Sequence, residues 1–511
     1  MADFLDAIRE IVGDANVLES GDPVLLELHA DPFAFDDAHS GPPVGVIFPG
    51  SVEEVSAVVL AATESGQSLW TVSRGRNLGY GGAIPASATS FVLDLSRMDR
   101  ILDVNVESGY VVVEPGVSFF DLHDFLTENR IPLRMSVPDL GGGSLIGNAL
   151  ERGFGYAAHG EHGSYLAGLE VVLPSGEIIR TGMGAIEGSA ATHVYRGGFG
   201  PSVEGLFSQS SLGIVVNAGI WLAPEPETIA ACVVRVQNHT DLAILVDTLR
   251  PLLLDSTIDG VVAVRNSLSV ASQSVSRAAA HDGDGPVPDE AITALAEQLG
   301  VGGWNASFGV YGAARVVEAK VEVVRERVES IPGATFEVRT YAGDVSDEDV
   351  HPADRGLLGI PSSDLMQMAT WRGGTPGHTD FSLVTRTVGR SAQQLVDLVR
   401  FVVEKDGFDH LAGFMMFGRY SILRTSISFD SSSSDDRDAV RALLSELITV
   451  GATAGYAPYR AHSALMDEVA DVYAFNDSSL RRFVTQLKDA VDPSGVLSPG
   501  KQGIWPTKHD G

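Results

Sequence analysis

The stretch Ser73-Arg74-Gly75-Arg76-Asn77-Leu78-Gly79-Tyr80-Gly81-Gly82 lies between two runs that read as strands, Leu69-Trp70-Thr71-Val72 before it and Phe91-Val92-Leu93-Asp94-Leu95 after it. Four of the eight residues 75–82 are glycine. Such a loop takes positive φ without steric cost, lets another molecule approach the backbone closely, and turns successive N–H groups one way to form an anion-binding nest. A pyrophosphate is the guest it fits best. No helix pattern follows the loop and no Gly-Lys-Ser/Thr is present, so it is neither a dinucleotide fingerprint of the doubly wound type nor a P-loop. A tight hairpin is the plain alternative, but a hairpin favours Asn or Asp where this loop carries the bulky Tyr80.

Outward from this loop the chain alternates helix and strand. Ser51 and Glu54 form a capping box, Val55, Val58, Val59 and Ala62 recur at helical spacing, and Gly66 ends the segment, which predicts a helix over 51–66. Tyr110-Val111-Val112-Val113 reads as a buried strand, and Ser118 caps a helix through Phe120, Leu122 and Phe125. A second glycine cluster, Val137-Pro138-Asp139-Leu140-Gly141-Gly142-Gly143-Ser144 with Gly147-Asn148 beyond it, again argues for close backbone approach to a ligand, with Asp139 at the rim. Gly153-Phe154-Gly155-Tyr156 and Gly197-Gly198-Phe199-Gly200 are further clusters, residues 169–179 read as a hairpin, and Gly213-Ile214-Val215 closes this half.

Past Pro224-Glu225-Pro226 glycine thins. Helices are expected at 240–254, 314–330, 391–404 and 436–450, and strands at 307–311, 335–341, 381–386 and 414–430. This is an α+β pattern of antiparallel sheet covered by helices, read loosely as an internal duplication. The tail from Val491 to Lys501 returns to turn-rich, glycine-bearing chain and is expected to pack against the first half.

The 511 residues suffice for two or three cores. Thirty-five Lys and Arg against 67 Asp and Glu give a net charge of −32, which repels phosphate backbones and anionic lipid and excludes nucleic-acid and membrane-surface roles. Cys232 is the one cysteine, so there is no intrachain disulfide and no cysteine-based metal site. No leader pattern opens the chain and no apolar run reaches ~18 residues, so a cytoplasmic protein without a metal is expected.

Taken together, the 73–82 loop, Pro138-Asp139-Leu140-Gly141-Gly142-Gly143-Ser144, Gly205-Leu206-Phe207-Ser208-Gln209-Ser210, Tyr459-Arg460 and the Asp492-Pro493 to Lys501 tail resemble the vanillyl-alcohol oxidase family of flavoproteins, and within it the para-phenol branch. The resemblance implies an α+β, two-domain FAD-linked oxidase fold: an FAD-binding domain over 1–222, a substrate-binding cap over 223–460, and a C-terminal segment, 461–511, returning to the first domain. It implies FAD held by Ser73, Arg74, Gly75, Arg76, Asn77, Leu78, Gly79, Gly81, Pro138, Gly142, Gly143, Ser144, Gly147, Asn148, Gly155, Gly213, Ile214, Val215, Arg460 and Lys501. The flavin's 8α-methyl group would be tethered to His378, in Gly377-His378-Thr379-Asp380. The chain departs from the family pattern at Ala157-Ala158-His159-Gly160-Glu161-His162, which keeps His159 and His162 as competing tethers.

Residue chemistry points the same way. A 4-substituted phenol loses a hydride from its benzylic carbon far more easily once its oxygen is anionic, and Tyr80, Tyr459 and Arg460 would supply phenolic donors and a fixed positive charge. Asp139 would sit near the reactive flavin nitrogen as a charge-balancing group or a base for water, with Glu151 the second candidate. The expected activity is an oxidase of 4-substituted phenols that returns electrons to O2, in a homodimer or larger homo-oligomer. A cytochrome-coupled dehydrogenase of the 4-cresol type and a sugar or lactone oxidase are the rivals. The resemblance places Gly413 where cap residues near the substrate's side chain differ between members, which implies room for a longer or bulkier substituent.

Overall fold

In the computed structural model, residues 2–24, 29–36 and 43–507 are described. Near the N-terminus, β1 (Val17–Glu19), β2 (Gly45–Ile47), β3 (Leu69–Val72) and β4 (Phe91–Asp94) form a four-stranded sheet in the order β1-β2-β4-β3. β3 and β4 run parallel, so the 73–82 loop begins a crossover and is not a hairpin. The 51–66 segment is a helix over Val52–Ser65: Ser51 Oγ accepts from the Glu54 N–H, Glu54 returns a carboxylate oxygen to the Gly50 N–H, and Gly66 closes it at φ 67°.

A five-stranded antiparallel sheet follows, made of β5 (Ile101–Asn105), β6 (Tyr110–Val113), β8 (Leu166–Val172), β9 (Ile178–Arg180) and β10 (Ile214–Trp221) in the order β5-β6-β10-β8-β9. A two-stranded ribbon pairs β7 (Leu133–Arg134) with β11 (Ala223–Pro224). Ser118 and Asp121 cap the helix Phe119–Glu128 reciprocally, and this helix with Leu145–Leu150 covers one sheet face. Ile214, Val216 and Val172 pack with Ile47, Val55, Leu69 and Phe91, which joins the two sheets through one core.

Residues 228–430 build a seven-stranded antiparallel sheet: β12 (Thr228–Val236), β13 (Val262–Asn266), β14 (Trp304–Gly312), β15 (Thr335–Ala342), β16 (Pro376–Arg386), β17 (Leu411–Met416) and β18 (Tyr420–Asp430), ordered β15-β12-β14-β13-β17-β18-β16. The single strand expected over 414–430 is a hairpin, β17 and β18, turning where Gly418 takes φ 85°. Helices Leu242–Leu254, Ala314–Val328, Gly389–Lys405 and Ser434–Thr453 cover one face with Leu245, Val324, Val396 and Leu444. Apart from the helices Ser267–Ala271 and Asp289–Leu299 inserted between β13 and β14, the first four strands and their covering helices follow β-α-β-β-α-β order, and the rest repeats it up to its last strand. The other face, with Ala263, Met415 and Ile422, meets Tyr156, Leu357 and Ile360.

Past the helix Phe475–Val491 the chain runs beside β3, where Leu69 donates to Val496 O and Ser498 to Leu69 O. Lys488 and Asp492, both fully buried, anchor this return. The Lys488 ammonium uses all three donors, on Asp492 Oδ2 (2.7 Å), Ser211 O (2.8 Å) and Leu497 O (2.6 Å). Lys488→Met is expected to strand the Asp492 charge and cost about 3–5 kcal/mol of stability, read as a fall in the urea midpoint at unchanged m-value. A change under 1 kcal/mol would show that the anchor is dispensable.

Candidate active site

The glycine loop owes its path to where the bulk goes. A Cβ on Gly79 (φ 80°) would stand 3.2 Å from the His378 ring, and one on Gly81 (φ 97°) 2.3 Å from Ser463 Oγ. The loop is thus wedged against β16 and the segment after Arg460. Thr379 Oγ1 and the Asp380 N–H donate to Gly79 O, and the Ser463 N–H donates to Tyr80 O. On the other wall Ser144 caps the helix Leu145–Leu150, and Gly147 lets that helix abut Ser73, whose Oγ would lie 2.9 Å from a Cβ there.

Between these walls runs one cleft. Of the residues singled out in the sequence it is lined by Ser73, Arg74, Gly75, Arg76, Asn77, Leu78, Tyr80, Pro138, Asp139, Gly143, Ser144, Gly147, Asn148, Glu151, Gly213, Ile214, Val215, Tyr459, Arg460 and Lys501. Gly79, Gly81, Gly142, Gly155 and His378 lie outside this lining. Gly155 faces the other way, where a Cβ would meet Ser136 Oγ, Val137 O and His162 Nε2. His378 stands behind Gly79, buried, with Nε2 3.5 Å from Asp380 Oδ2 and Nδ1 without a partner.

Two polar clusters face the cleft. In the first, the Arg460 guanidinium lies 4.3 Å from the centre of the Tyr80 ring and donates to Asn77 Oδ1 at 2.5 Å, while the Tyr80 hydroxyl meets Ser382 Oγ at 3.1 Å. Burial, reinforced by Asp380 and Tyr459, pushes the Tyr80 pKa far up against the pull of Arg460, and burial raises Tyr459 as well. Both phenols therefore stay protonated and can donate, beside a guanidinium that neighbouring Tyr459, Tyr80 and Glu151 keep charged despite burial. In the second, Asp139 accepts from the Tyr156 hydroxyl through one oxygen and from Arg424 Nη1 at 2.6 Å through the other. Asp380 lies between the clusters. Burial favours its neutral form, but His378 and Arg424 outweigh that and hold its pKa well below the ordinary carboxylate range. Lys501 closes the far end on Glu151 at 2.9 Å, which together with Arg460 lowers the Glu151 pKa against its burial.

The histidines of the departing segment are engaged in packing. His159 stacks on Tyr165 with ring centres 4.1 Å apart. Neither it nor His162 lines the cleft. His162 holds Asn148 Oδ1 at 2.6 Å, and burial lowers its pKa to about 4; burial first, then Arg400 and His239, lowers buried His410 to about 3. Both are neutral in the fold and bind a proton more readily once unfolded. The stability they contribute is present above pH ~6.5 and is lost as pH falls from there toward 4 and below. His410→Gln is expected to flatten the acid limb of a Tm-against-pH curve. An unchanged limb would mean that other groups govern acid unfolding.

An FAD-binding domain model matches residues 43–182. Over 499 residues the chain is 31% identical to the 4-cresol dehydrogenase [hydroxylating] flavoprotein subunit of Pseudomonas putida, covering 97% of this chain and 94% of that one. The chain belongs to the vanillyl-alcohol oxidase/p-cresol methylhydroxylase family. Among solved structures it matches the 4-ethylphenol oxidase of Gulosibacter chungangensis in complex with isoeugenol (TM-score 0.93, 33% identity, 99% and 98% of the two chains). It also matches p-cresol methylhydroxylase with substrate bound (TM-score 0.92, 30% identity, 99% and 97%). It is thus a flavin-dependent oxidoreductase with the two-domain FAD-linked oxidase fold of that family. The residues present fit FAD: the cleft is bordered by glycine backbone at 75, 82, 143, 147 and 213, and His378, whose Nδ1 has no hydrogen-bond partner among the described residues, packs against Gly79 of the same loop. No group of three or more His, Cys, Asp or Glu able to hold a metal occurs among the described residues, and none of their helices is long and apolar enough to cross a membrane.

Sequence reasoning did not single out Arg424, Asp380, Ser382 or Tyr156 as site residues. The sequence masks Arg424: it falls on the alternating face Arg424, Ser426, Ser428 and Asp430, which reads as solvent-facing, whereas in the fold Ser426 and Ser428 on that face are buried.

Proposed function

We propose that this protein oxidises 4-substituted phenols at the benzylic carbon, with FAD as hydride acceptor and O2 as the final oxidant. One observation carries the reading: phenolic donors and a fixed guanidinium (Tyr80, Tyr459, Arg460) share a cleft with a carboxylate held between Tyr156 and Arg424. Residues 1–222 and 461–511 would hold FAD and residues 223–460 would cover the substrate. Ser73–Leu78, Gly143–Asn148, Gly213–Val215 and Lys501 would bind the cofactor, and His378 would be its covalent anchor. The bound flavin supplies a two-electron acceptor. The two tyrosines donate to the substrate oxygen and Arg460 balances its negative charge, so the phenol is bound as phenolate and the ring can push out hydride, leaving a para-quinone methide. Asp139 on the same cleft would steady charge on the reduced cofactor or take a proton from water adding to that product. The relatives named for 4-cresol and 4-ethylphenol act on phenols of this class, which supports the substrate class.

Mixing the purified protein with 4-ethylphenol under nitrogen should bleach the flavin colour within the mixing time or seconds, and admitting air should restore it with one H2O2 per phenol. Bleaching that air does not reverse would favour the cytochrome-coupled reading, and no bleaching by any para-phenol would sink both. Colour that stays with acid-precipitated wild type and leaves His378→Ala would support the anchor.

A further inference from the structure

We infer that the preferred phenol carries an anionic group at the end of its para chain, seated over Gly413 between Arg424 and Arg265. This rests on the para-phenol reading and names the substrate class within it.

The sheet register places these residues in one row. Ser382 on β16 pairs with Arg424 on β18, Arg424 with Gly413 on β17, and Gly413 with Arg265 on β13. Residues directly opposite in antiparallel strands project from the same face. The row therefore starts at Ser382, which holds the Tyr80 hydroxyl, passes Arg424 at the cleft wall, and continues to Arg265. Gly413 leaves the place between the two cations without a side chain. Only the Arg265 Cγ (3.7 Å) and Val264 O (3.8 Å) come within 4 Å of where its Cβ would be. Above the row the contacts are continuous: Arg265 lies over the Tyr156 ring at 5.3 Å, and Tyr156 donates to the Asp139 carboxylate that Arg424 also holds.

One cation is left without an acidic partner. Asp139 and Asp380 face Arg424 and Glu151 faces Arg460, whereas the Arg265 guanidinium, just beyond the cleft lining, has neither an ion pair nor a hydrogen bond among the described residues. Arg424 spends Nη1 on Asp139, and its other N–H groups have no hydrogen-bond partner among those residues. A hydrocarbon tail would leave this row of cations as it is. A carboxylate over Gly413 would take charge-assisted hydrogen bonds from both sides. From Ser382 to Gly413 is two inter-strand steps, about 10 Å, close to the span from a phenol oxygen to the end of a three-carbon para chain. A chain of that length ending in carboxylate is the predicted ligand class.

The probes are 3-(4-hydroxyphenyl)propanoate and its methyl ester, with 4-propylphenol as a neutral reference. Dissociation constants come from perturbation of the flavin spectrum, and reduction rates from anaerobic stopped flow. The acid should bind about tenfold or more tighter than the ester. Arg265→Met should bring that ratio to within about twofold, with the change falling on Kd rather than on the reduction rate, and Arg265→Lys should recover part of it. Gly413→Val, which fills the slot against the Arg265 stem and removes neither guanidinium, should weaken the acid more than 4-propylphenol. Equal affinity for acid and ester in the wild type, or a ratio that survives Arg265→Met, overturns the inference. Failure of every probe, neutral ones included, to bleach the flavin overturns the para-phenol reading instead, and the Kd ratio still reports on the anion site.

Discussion

Arg460→Met is expected to lower kcat/KM for 4-alkylphenols by about 10²–10³-fold, the scale on which removing one preorganised charge from a developing anion acts. The guanidinium is held on two sides: it lies over the Tyr80 ring at 4.3 Å and an N–H is spent on Asn77, with Glu151 near enough to favour its charged form. It cannot swing away, so its field is in place before substrate enters. The loss should depend on pH in a way that simple misfolding would not. With Arg460 present, the bound phenol ionises well below its free value, and the reduction rate stays flat across neutral pH. Without it, the rate should climb with pH toward the phenol's own pKa near ~10. The raised pKa values of Tyr80 and Tyr459 keep these two groups from titrating in that window, so the climb would belong to the substrate. Arg460→Lys should fall between, because an ammonium keeps the charge but loses the planar stacking on Tyr80. A methionine variant within threefold of wild type at neutral pH would remove Arg460 from the chemistry.

The parts of this site legible in the sequence are those carried by contiguous, unusual strings. The 73–82 loop announces itself by glycine density with an aromatic inside it, and Tyr459-Arg460 by adjacency. The cleft collects both. The parts that were not legible depend on register. Gly413 was read alone, but that it shares a row with Arg265, Arg424 and Ser382 follows only from four strands aligning in one order, which alternation along each strand cannot reveal. Lys488 illustrates a different blindness. In an amphipathic helix it reads as one more solvated cation, and only the return of the chain beside β3 buries it against Ser211 and Leu497. Gly155 shows the converse: a glycine in a promising cluster whose missing side chain makes room for protein, Ser136 and His162, rather than ligand. The 414–430 run failed as one strand because residues 411–416 and 420–430 both carry strand-like sequence, and the turn at Gly418 is the interruption that separates them.

Asp139 presents the harder test, since the same carboxylate is a structural partner and a candidate reactive group. Asp139→Asn keeps the shape but takes from Arg424, only 14% exposed at its side chain, the one carboxylate it hydrogen-bonds, leaving Asp380 as its remaining acidic neighbour. That should cost about 3 kcal/mol of stability as well as slowing flavin reduction about 10²–10³-fold, and the two losses would be confounded. Arg424→Met strands the opposite charge and should destabilise by a similar amount, with a smaller effect on rate for a neutral substrate because Asp139 keeps its Tyr156 hydrogen bond. In the double variant Asp139→Asn/Arg424→Met neither charge is stranded, so much of the stability should return, as replacing a whole buried pair commonly allows. The reduction rate should not return with it. If the double variant regains both, Asp139 acts on the reaction only by keeping Arg424 in place, and the charge that steadies the benzylic step lies elsewhere, with Asp380 the next carboxylate on the cleft wall. If it regains stability alone, the carboxylate itself takes part.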